Sequence, residues 1–504
     1  MADSTCKLPQ LNNTDTQPRP TPFIVARPDI PLDFDPLSIA ARASAQRALD
    51  SLLSKQSSTL NEAIARYTLK TRRPPPPNYS EWFNFAKNSS CLIDNYDQIH
   101  RDFEPFYQLA KKHPKWFREA VDQGSELFLR ETQDLRPKRQ AAYGLAAIAF
   151  KDKKLVLPPY QPTTYAKDIP QHLFKITSLM PDLTFLLNGR DEPRVVFDTR
   201  QPGALEKIDP SADLMPFHLT PSPTGPFFRN QPGCNVSSRG HGFVHDDSEL
   251  VSFLTSSASS DFTTSLWPLF SMAKLTCFAD ILFPGQYYYR MSRWSPKIGA
   301  NDIPWADKKP ILYWRGGSTG GRILSTPTTS NHHSFPRFRL LKLASNHSDI
   351  MDIKMTGFAQ EYCKTEDGCR FSPIIIEYSI FGPKASRRDV LGYKYLFDID
   401  GNTFSGRFLG LLRSGSLVFK ATVYQEFFND WIRPYEHFIP VKYDLSDLVH
   451  KLQWAIDHEQ EARRIQETGK LFADKVMTDA QNDCYMSLLL LEWARLYNYE
   501  ATSL

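Results

Sequence analysis

The sequence predicts an α/β protein in which helices separate short buried strands. Apolar runs of a few residues, bounded by turn residues, alternate with segments of helical periodicity. In proteins of this kind, ligands bind at the carboxyl ends of the strands. The chain has 504 residues, more than one hydrophobic core usually holds, so we expect two domains with extensions. The predicted strands are Leu183–Leu187, Arg194–Phe197, Ile311–Trp314, Ile374–Ile376, Tyr395–Phe397 and Ser416–Phe419.

The N-terminal part of the chain differs from the rest in composition. Residues 1–33 are rich in Pro, Asn, Thr and Asp and lack periodicity, which predicts disorder. Apolar residues recur at helical spacing within Ser38–Lys70, and the prolines of Pro74–Pro77 cannot continue a helix. Residues 34–78 are therefore either a helical arm on a stiff polyproline linker or a helix packed against its own domain.

Two further helices are predicted toward the C-terminus. Leu445–Ile456 carries an apolar stripe at helical spacing, with Asp444 as its N-cap, and Met486–Leu496 forms the second helix. By contrast, Gln201–Gly240 is rich in proline and poor in strand-forming residues. A long surface loop is expected there.

Composition excludes several kinds of protein. The 60 basic and 56 acidic side chains nearly cancel, giving a net charge of +4, so we expect no nucleic-acid partner. We find no apolar run near the roughly 18 residues that span a bilayer, and the first residues lack the layout of a signal peptide. Among seven cysteines, Cys363 and Cys369 are spaced for a small disulfide ring and not for a zinc knuckle.

The segment Lys394–Arg407, KYLFDIDGNTFSGR, predicts an anion-binding turn. It reads as a buried strand, a turn of small polar residues, and an arginine at the mouth of the apolar helix Phe408–Leu412. Backbone N–H groups and the helix dipole favour an anion at such a turn, and a guanidinium closes over it. A diphosphate can be held in this way without a metal, which indicates a nucleotide-linked substrate.

A second loop of the same kind follows an earlier strand. In Tyr313–Arg322, YWRGGSTGGR, a strand delivers Arg315 to a loop of four glycines and two hydroxyl side chains. Small residues let the backbone approach a ligand closely, and successive N–H groups can cradle an anion. The loop lacks the lysine and the glycine spacing of a P-loop. Two arginine-bearing loops after strands favour a functional role over a simple turn.

Two aspartate motifs each leave alternatives open. Asp191, in LLNGRDEPRV between two predicted strands, is either a base that takes a proton from a hydroxyl or a turn cap before Pro193, which spacing alone favours. Asp398 and Asp400 spell D-x-D on one strand face. They are either ligands for a divalent cation or partners of Arg407.

The histidines do not indicate a metallohydrolase. His332 and His333 are adjacent, and His241 and His245 lie four residues apart, but neither pair has the framework of a zinc enzyme. Isolated loop histidines are usually solvated. We also find no Gly-x-Ser-x-Gly elbow, so an acyl hydrolase is not expected.

Six blocks, in order between Tyr79 and Leu452, resemble the capsule-associated-protein family of glycosyltransferases, which includes animal protein O-glucosyltransferases and fungal xylosyltransferases. The residue sequences of these blocks resemble those of the fungal branch of the family. The blocks are CLIDNYDQIHRDFEPF, LLNGRDEPRV, FADILFPGQYY, PILYWRGGSTGGR, YLFDIDGNTFSGRF and EFFNDWIRPYEHFIPVKYDLSDL.

The resemblance implies a GT-B fold, two Rossmann-like domains facing a cleft, with a UDP-sugar held mainly by the C-terminal one. It implies inverting transfer to a glycan or protein hydroxyl, most readily of xylose or glucose, without a metal or other cofactor. A member that has lost catalysis and binds carbohydrate or protein is the alternative. The corresponding domains are an N-terminal acceptor-side domain over residues 79–295 and a C-terminal UDP-sugar-binding domain over residues 296–460. Residues 461–504 are expected to form C-terminal helices. The resemblance implies a location in the secretory pathway. A cytoplasmic location is the alternative, because the first residues do not resemble a signal peptide.

The resemblance also assigns residues. The family's catalytic base falls on Asp191, in place of the turn cap, and its phosphate-binding arginines fall on Arg315 and Arg407. The D-x-D of Asp398 and Asp400 becomes coincidental. We add Glu426 as a candidate for a ribose hydroxyl. The remaining donor-site residues are Gly316, Ser318, Asn402, Thr403, Ser405, Gly406, Asp280, Gly285 and Gln286.

Overall fold

The computed structural model describes most of the chain in segments. These are residues 44–134, 144–159, 169–217, 263–289, 303–320, 330–359, 368–380 and 388–499, with the single residues 323, 325, 363, 365 and 386. The predictions of disorder over residues 1–33 and of a loop over residues 218–240 lie outside them.

The α/β class is confirmed by two five-stranded sheets surrounded by helices. No described helix is long and apolar enough to cross a membrane. The helices are α1 Ala45–Ser54, α2 Leu60–Thr71, α3 Tyr79–Asn88, α4 Asp97–Lys112, α5 Trp116–Asp134, α6 Ile169–Ile176, α7 Pro336–Ser345, α8 Phe371–Glu377, α9 Phe408–Arg413, α10 Leu448–Asp457, α11 Glu459–Lys475 and α12 Asp479–Tyr497.

The first sheet is mixed, with the order β2-β1-β3-β4-β5. Strand β1 runs antiparallel to β2 and β3, whereas β3, β4 and β5 are parallel. Asp152 and Lys153 join β1 to β2 with φ angles of 51° and 57°, the left-handed pair that suits a tight hairpin. The strands are β1 Leu145–Lys151, β2 Lys154–Val156, β3 Leu183–Asn188, β4 Phe270–Ser271 and β5 Ile281–Leu282.

The second sheet is entirely parallel, with the order β10-β9-β8-β6-β7. From β6 the chain moves outward to β7 and then crosses back to β8 on the other side. In a parallel sheet such a reversal opens a crevice at the carboxyl ends of the two strands, here β6 and β8. The strands are β6 Lys309–Gly317, β7 Met351–Gly357, β8 Tyr393–Ile399, β9 Leu417–Ala421 and β10 Ile439–Pro440.

Helix α12 ties the end of the chain to the first sheet. The indole of Trp493 is fully buried and donates to the carbonyl oxygen of Thr184 in β3 at 2.8 Å. A disulfide joins Cys484 to Cys91, between α3 and α4. The first hydrophobic core therefore contains side chains from both ends of the sequence.

The N-terminal helices pack against the body, as in the second of the two alternatives. In α2, Ala63 and Tyr67 are buried, and the Tyr67 hydroxyl donates to the Glu492 carboxylate of α12. The Tyr107 hydroxyl of α4 donates to the same carboxylate. One buried glutamate thus joins three helices.

Three local predictions are wrong. Ile374–Ile376 lies in helix α8 and not in a strand; Ile374 is buried but Ile376 is 70% exposed, and a proline in the first turn is compatible with a helix. Residues Arg194–Phe197 form only an isolated bridge from Val195 to Thr263. Asp444 caps no helix, because its carboxylate accepts from the Ser446 backbone N–H at 2.9 Å and α10 begins at Leu448. The Cys363–Cys369 disulfide, by contrast, is present as predicted.

His100 should contribute a loss of folding stability as the pH drops below about 6.5, seen as the difference in pH dependence between the wild type and a His100→Gln variant. This side chain of α4 is 7% exposed, and burial lowers its pKa to about 4 against the opposing charge of Glu492. Between pH 6.5 and 4 the unfolded chain binds a proton that the folded chain excludes, so acid favours unfolding. We expect the group to remove roughly 2 kcal/mol of unfolding free energy between pH 6.5 and 5. Urea titrations at both pH values measure this, and a His100→Gln variant with an unchanged pH slope would contradict it.

Candidate functional site

The loops that follow β6 and β8 meet in the crevice of the second sheet. The Gly320 N–H donates to the side-chain oxygen of Asn402 at 3.1 Å. The Arg407 Nη1 donates to the carbonyl oxygen of Arg315 at 2.8 Å. The two arginine-bearing loops predicted from the sequence are therefore bonded to each other and form one surface.

Arg337, which the sequence reasoning missed, joins the same loops from α7. Its Nε donates to the carbonyl oxygen of Asp400 at 2.9 Å, and its Nη1 donates to that of Gly317 at 3.0 Å and to the Thr319 hydroxyl. The available signal was its place in the first turn of the helix that follows the glycine-rich loop. We call Arg337, Arg407 and the two loops the arginine cradle.

The cradle carries two neighbouring positive charges. Burial and, to a smaller extent, the neighbouring charge of Arg407 lower the pKa of Arg337 to about 9. Burial also lowers the pKa of Arg407, against the opposing charge of Asp398. Nη2 of Arg407 is buried and has no hydrogen-bond partner among the described residues. Paired guanidiniums with an unused donor are suited to an anion with several oxygens.

Arg315, predicted to bind phosphate, is held by β7 in this structure. Its Nη2 pairs with Asp352 Oδ1 at 2.7 Å, and its Nη1 donates to the carbonyl oxygens of Asp352 and Trp314 at 2.7 and 2.9 Å. In this structure the guanidinium of Arg315 is therefore engaged by β7, and its backbone supports Arg407. The two guanidiniums of the cradle are therefore those of Arg407 and Arg337.

The turn before Arg407 is closely packed. A Cβ added at Gly406 would lie 2.6 Å from Cδ1 of Tyr287, closer than real contacts allow. Thr403 and Ser405 are buried, and the Thr403 hydroxyl has no hydrogen-bond partner among the described residues. Glycine is required here because an aromatic ring occupies the space of a side chain.

Tyr287 brings the Gly285–Gln286 segment to the cradle. Its ring meets that of Phe404 edge-on, with centroids 5.6 Å apart. Gly285 lies on Met272, where a Cβ would be 2.6 Å from the sulfur, and Gln286 is partly exposed. The segment that follows β5 of the first sheet thus packs on the turn that follows β8 of the second.

Asp191 lies in the loop after β3 and is partly exposed. Asn188 shapes this loop, since its side chain donates to the Glu192 carbonyl at 2.6 Å and accepts from the Arg190 N–H at 3.1 Å. Burial raises the pKa of the Asp191 carboxyl well above its usual range, and the charge and hydrogen bond of Glu192 raise it further. A carboxylate of raised pKa is a stronger base than an ordinary aspartate.

Asp280 anchors the loop of Asp191 from the next part of the sheet. Both oxygens are fully buried; they accept from the backbone N–H groups of Arg194 and Val195 at 2.9 Å and from the Ser271 hydroxyl. Asp280 was predicted among the donor-site residues, but its hydrogen bonds are to the protein. Its position supports Asp191.

Tyr424 contacts the arginine cradle and is also influenced by the charges of the Asp191 loop. The Tyr424 hydroxyl donates to the Asn402 carbonyl oxygen at 3.0 Å. Burial raises the pKa of Tyr424 well above its usual range, and the charges of Asp400, Glu192 and Asp191 contribute. The carboxylates of the Asp191 loop therefore act on the residue that holds the cradle's turn.

Two other predicted site residues are enclosed. The Ser318 hydroxyl is 2% exposed and accepts from the Ala359 N–H at 2.7 Å. Glu426 is fully buried; it accepts from the Tyr288 hydroxyl and lies 3.7 Å from the Lys420 ammonium. Neither side chain faces open solvent.

The D-x-D carboxylates are also fully buried. Asp398 pairs with Lys420 at 2.8 Å, and Asp400 accepts from the Val423 N–H at 3.0 Å. Burial raises the pKa of Asp400 to about 7. Through these contacts the two carboxylates hold β8 to β9 and to the segment that follows β9.

A positively charged cradle at the reversal of a parallel sheet, in a chain that also carries a carboxylate of raised pKa, is an arrangement that group-transfer proteins use. The particular family follows from comparison. Residues 243–503, just over half of the chain, match the model of glycosyl transferase family 90. The chain belongs to this family, which confirms the family predicted from its sequence blocks. Asp191 lies outside the matched range.

Curated relatives agree with this assignment. Protein O-glucosyltransferase 2 of Danio rerio is 34% identical over 161 residues, 32% of this chain and 30% of its own length. Protein O-glucosyltransferase 1 of Rattus norvegicus is 26% identical over 255 residues, 47% and 59% of the two lengths. Uncharacterized protein 027R of Frog virus 3 is 30% identical over 232 residues, 40% and 23%. The chain thus covers less than two thirds of each of these relatives.

The close approach at Gly406 predicts a specific loss of stability. Gly406→Ala should lower the unfolding free energy by about 1–3 kcal/mol, because the ring of Tyr287 must move. Gly317→Ala is the matched control, since its Cβ would meet only the Gly357 oxygen at an ordinary 3.6 Å. Urea unfolding of both variants measures the difference. Equal stability of the two would show that Tyr287 does not constrain the turn.

Proposed function

We propose that the protein is an inverting glycosyltransferase that moves a sugar from a UDP-sugar to a hydroxyl of a glycan or protein without a metal. The observation that carries the proposal is the arginine cradle, with the adjacent, partly buried side chains of Arg337 and Arg407. The names of the O-glucosyltransferase relatives favour glucose and a protein hydroxyl, and the sequence blocks add xylose as a donor sugar. The GT-B arrangement, with residues 79–295 and 296–460 as its halves, is part of the same proposal.

The cradle stabilises the leaving diphosphate. The Arg407 Nη2 and the Arg337 guanidinium face the negative charge that develops as the bond from the anomeric carbon to the β-phosphate oxygen breaks. Groups fixed in advance stabilise such charge more than water does, because they need no reorganisation. The bonds from Arg337 to three loop oxygens supply that rigidity.

Asp191 is the general base. Its carboxylate takes the proton of the acceptor hydroxyl, whose oxygen attacks the anomeric carbon from the face opposite UDP and inverts it. The raised pKa supports this role, because the proton is transferred to a carboxylate that holds it more firmly. Asn188 and Asp280 act as positioning residues for its loop.

The disulfides Cys91–Cys484 and Cys363–Cys369 favour an oxidising compartment. We therefore favour the secretory lumen, with a membrane-associated or secreted glycoprotein as acceptor. A cytoplasmic protein of this kind is expected to keep its thiols reduced.

Replacing Asp191 with Asn should separate chemistry from binding. Turnover should fall by about 10²–10⁴ because the amide cannot accept the proton, whereas UDP affinity should be unchanged. UDP release from UDP-glucose and UDP-xylose measures turnover, and calorimetry with UDP measures binding. The matched control is Asp209→Asn, an exposed aspartate, which should keep wild-type turnover. Near-normal turnover in Asp191→Asn would remove the base assignment, and absence of UDP binding in the wild type would favour a non-catalytic family member.

Activity should survive removal of divalent cations. Because Arg337 and Arg407 already supply two positive charges, dialysis against EDTA should leave UDP release nearly unchanged. The competing mechanism places a cation on Asp398 and Asp400, which are fully buried and internally bonded. Loss of activity in EDTA that Mn²⁺ or Mg²⁺ restores would support that mechanism instead.

A further inference from the structure

His332, His333 and Glu377 form a cluster that the proposed reaction does not use. The histidines lie in the turn before α7, and Glu377 ends α8. Their ligand atoms all lie within 4.8 Å of one another. We call them the His–His–Glu cluster.

The buried member of the cluster has an unused nitrogen aimed at the carboxylate. His332 is 3% exposed, and its Nδ1 is hydrogen-bonded to the Ser330 hydroxyl at 2.7 Å. Its Nε2 is buried without a hydrogen-bond partner among the described residues and lies 3.7 Å from Glu377 Oε2. That distance is too long for a hydrogen bond. Burying an imidazole nitrogen that lacks a hydrogen-bond partner costs free energy unless a ligand binds to it.

The spacing suits one small cation. His333 Nδ1 also lies 3.7 Å from a Glu377 oxygen, Oε1. Around a tetrahedral Zn²⁺, with ligand distances near 2.1 Å, ligand atoms are about 3.4 Å apart. The two histidine–carboxylate separations therefore exceed this spacing by about 0.3 Å, and all three ligand atoms lie within 4.8 Å of one another.

The outer contacts also fit a metal site. Ligating histidines usually give their other nitrogen to a hydroxyl, carbonyl or carboxylate that fixes the ring, which is the relation of Ser330 to His332. The Tyr378 hydroxyl lies 2.9 Å from His333 Nδ1, so it must turn away when an ion takes that nitrogen. Two imidazoles and one carboxylate favour Zn²⁺ over Mg²⁺, which prefers oxygen ligands.

We propose that His332, His333 and Glu377 bind a zinc ion, with water in the fourth position. The ion adds a link between α8 and the turn before α7, which also share a small hydrophobic core and the hydrogen bond from Tyr378 to His333. The site is separate from the proposed transfer, and its test does not use transferase activity.

The test is zinc binding by the whole chain after EDTA treatment and dialysis. Titration calorimetry with zinc chloride should show one ion per chain, and Co²⁺ should give the visible absorption bands of a tetrahedral site. Glu377→Gln and His333→Ala should each weaken zinc binding by at least about 100-fold, since each removes a direct ligand. Both side chains are about half exposed, so the variants should fold. Zinc should also raise the melting temperature of the wild type and not of Glu377→Gln.

The matched control is Glu467→Gln, a glutamate with the same 50% side-chain exposure on α11. It should bind zinc as the wild type does. Absence of zinc binding by the wild type would overturn the proposal. Equal binding by Glu377→Gln, His333→Ala and Glu467→Gln would also overturn it, because the ion would then lie elsewhere on the chain.

Discussion

The crevice of the second sheet depends on two guanidinium groups that bind backbone carbonyls. Arg407 reaches the carbonyl of Arg315, and Arg337 reaches those of Gly317 and Asp400. Side-chain donors thus satisfy carbonyl oxygens at the ends of two strands, where a sheet leaves polar groups unpaired. The same bonds fix the guanidiniums beside each other, so the loops gain order while the site keeps a concentrated positive charge.

Like charges placed together lower folding stability unless a ligand compensates for them. Removing a guanidinium from water costs free energy, and the lowered pKa of Arg337 reflects that cost. The cradle is an example of local cost retained for binding, and an anion there would relieve it. The fully buried pair of Asp398 and Lys420 on the neighbouring strands is different, since it neutralises itself.

The sequence predicted the sheet strands best where apolar residues fill both faces, as in β3, β6 and β8. It failed at Ile374–Ile376, because three β-branched residues fit a short helix when only one needs burial. The two loops and Asp191 were predicted as site elements because local patterns and the family blocks mark them. Arg337 was missed because its role arises from bonds to residues 18, 20 and 63 positions away. For the same reason, no local pattern showed that Asp352 would engage Arg315, or that Asp280 would face inward.

Helix α12 packs against the first sheet although it comes late in the sequence, and this constrains the order in which the chain can fold. Trp493 fills the core around β3, and the Cys91–Cys484 bond spans 393 positions. Domains usually fold as soon as they leave the ribosome, from the N-terminus onward. Here the first sheet lacks α12 until every strand of the second sheet has been synthesised, so the second sheet can form before the first core is complete. The apolar surface that Trp493 covers therefore stays exposed to water until α12 packs on it.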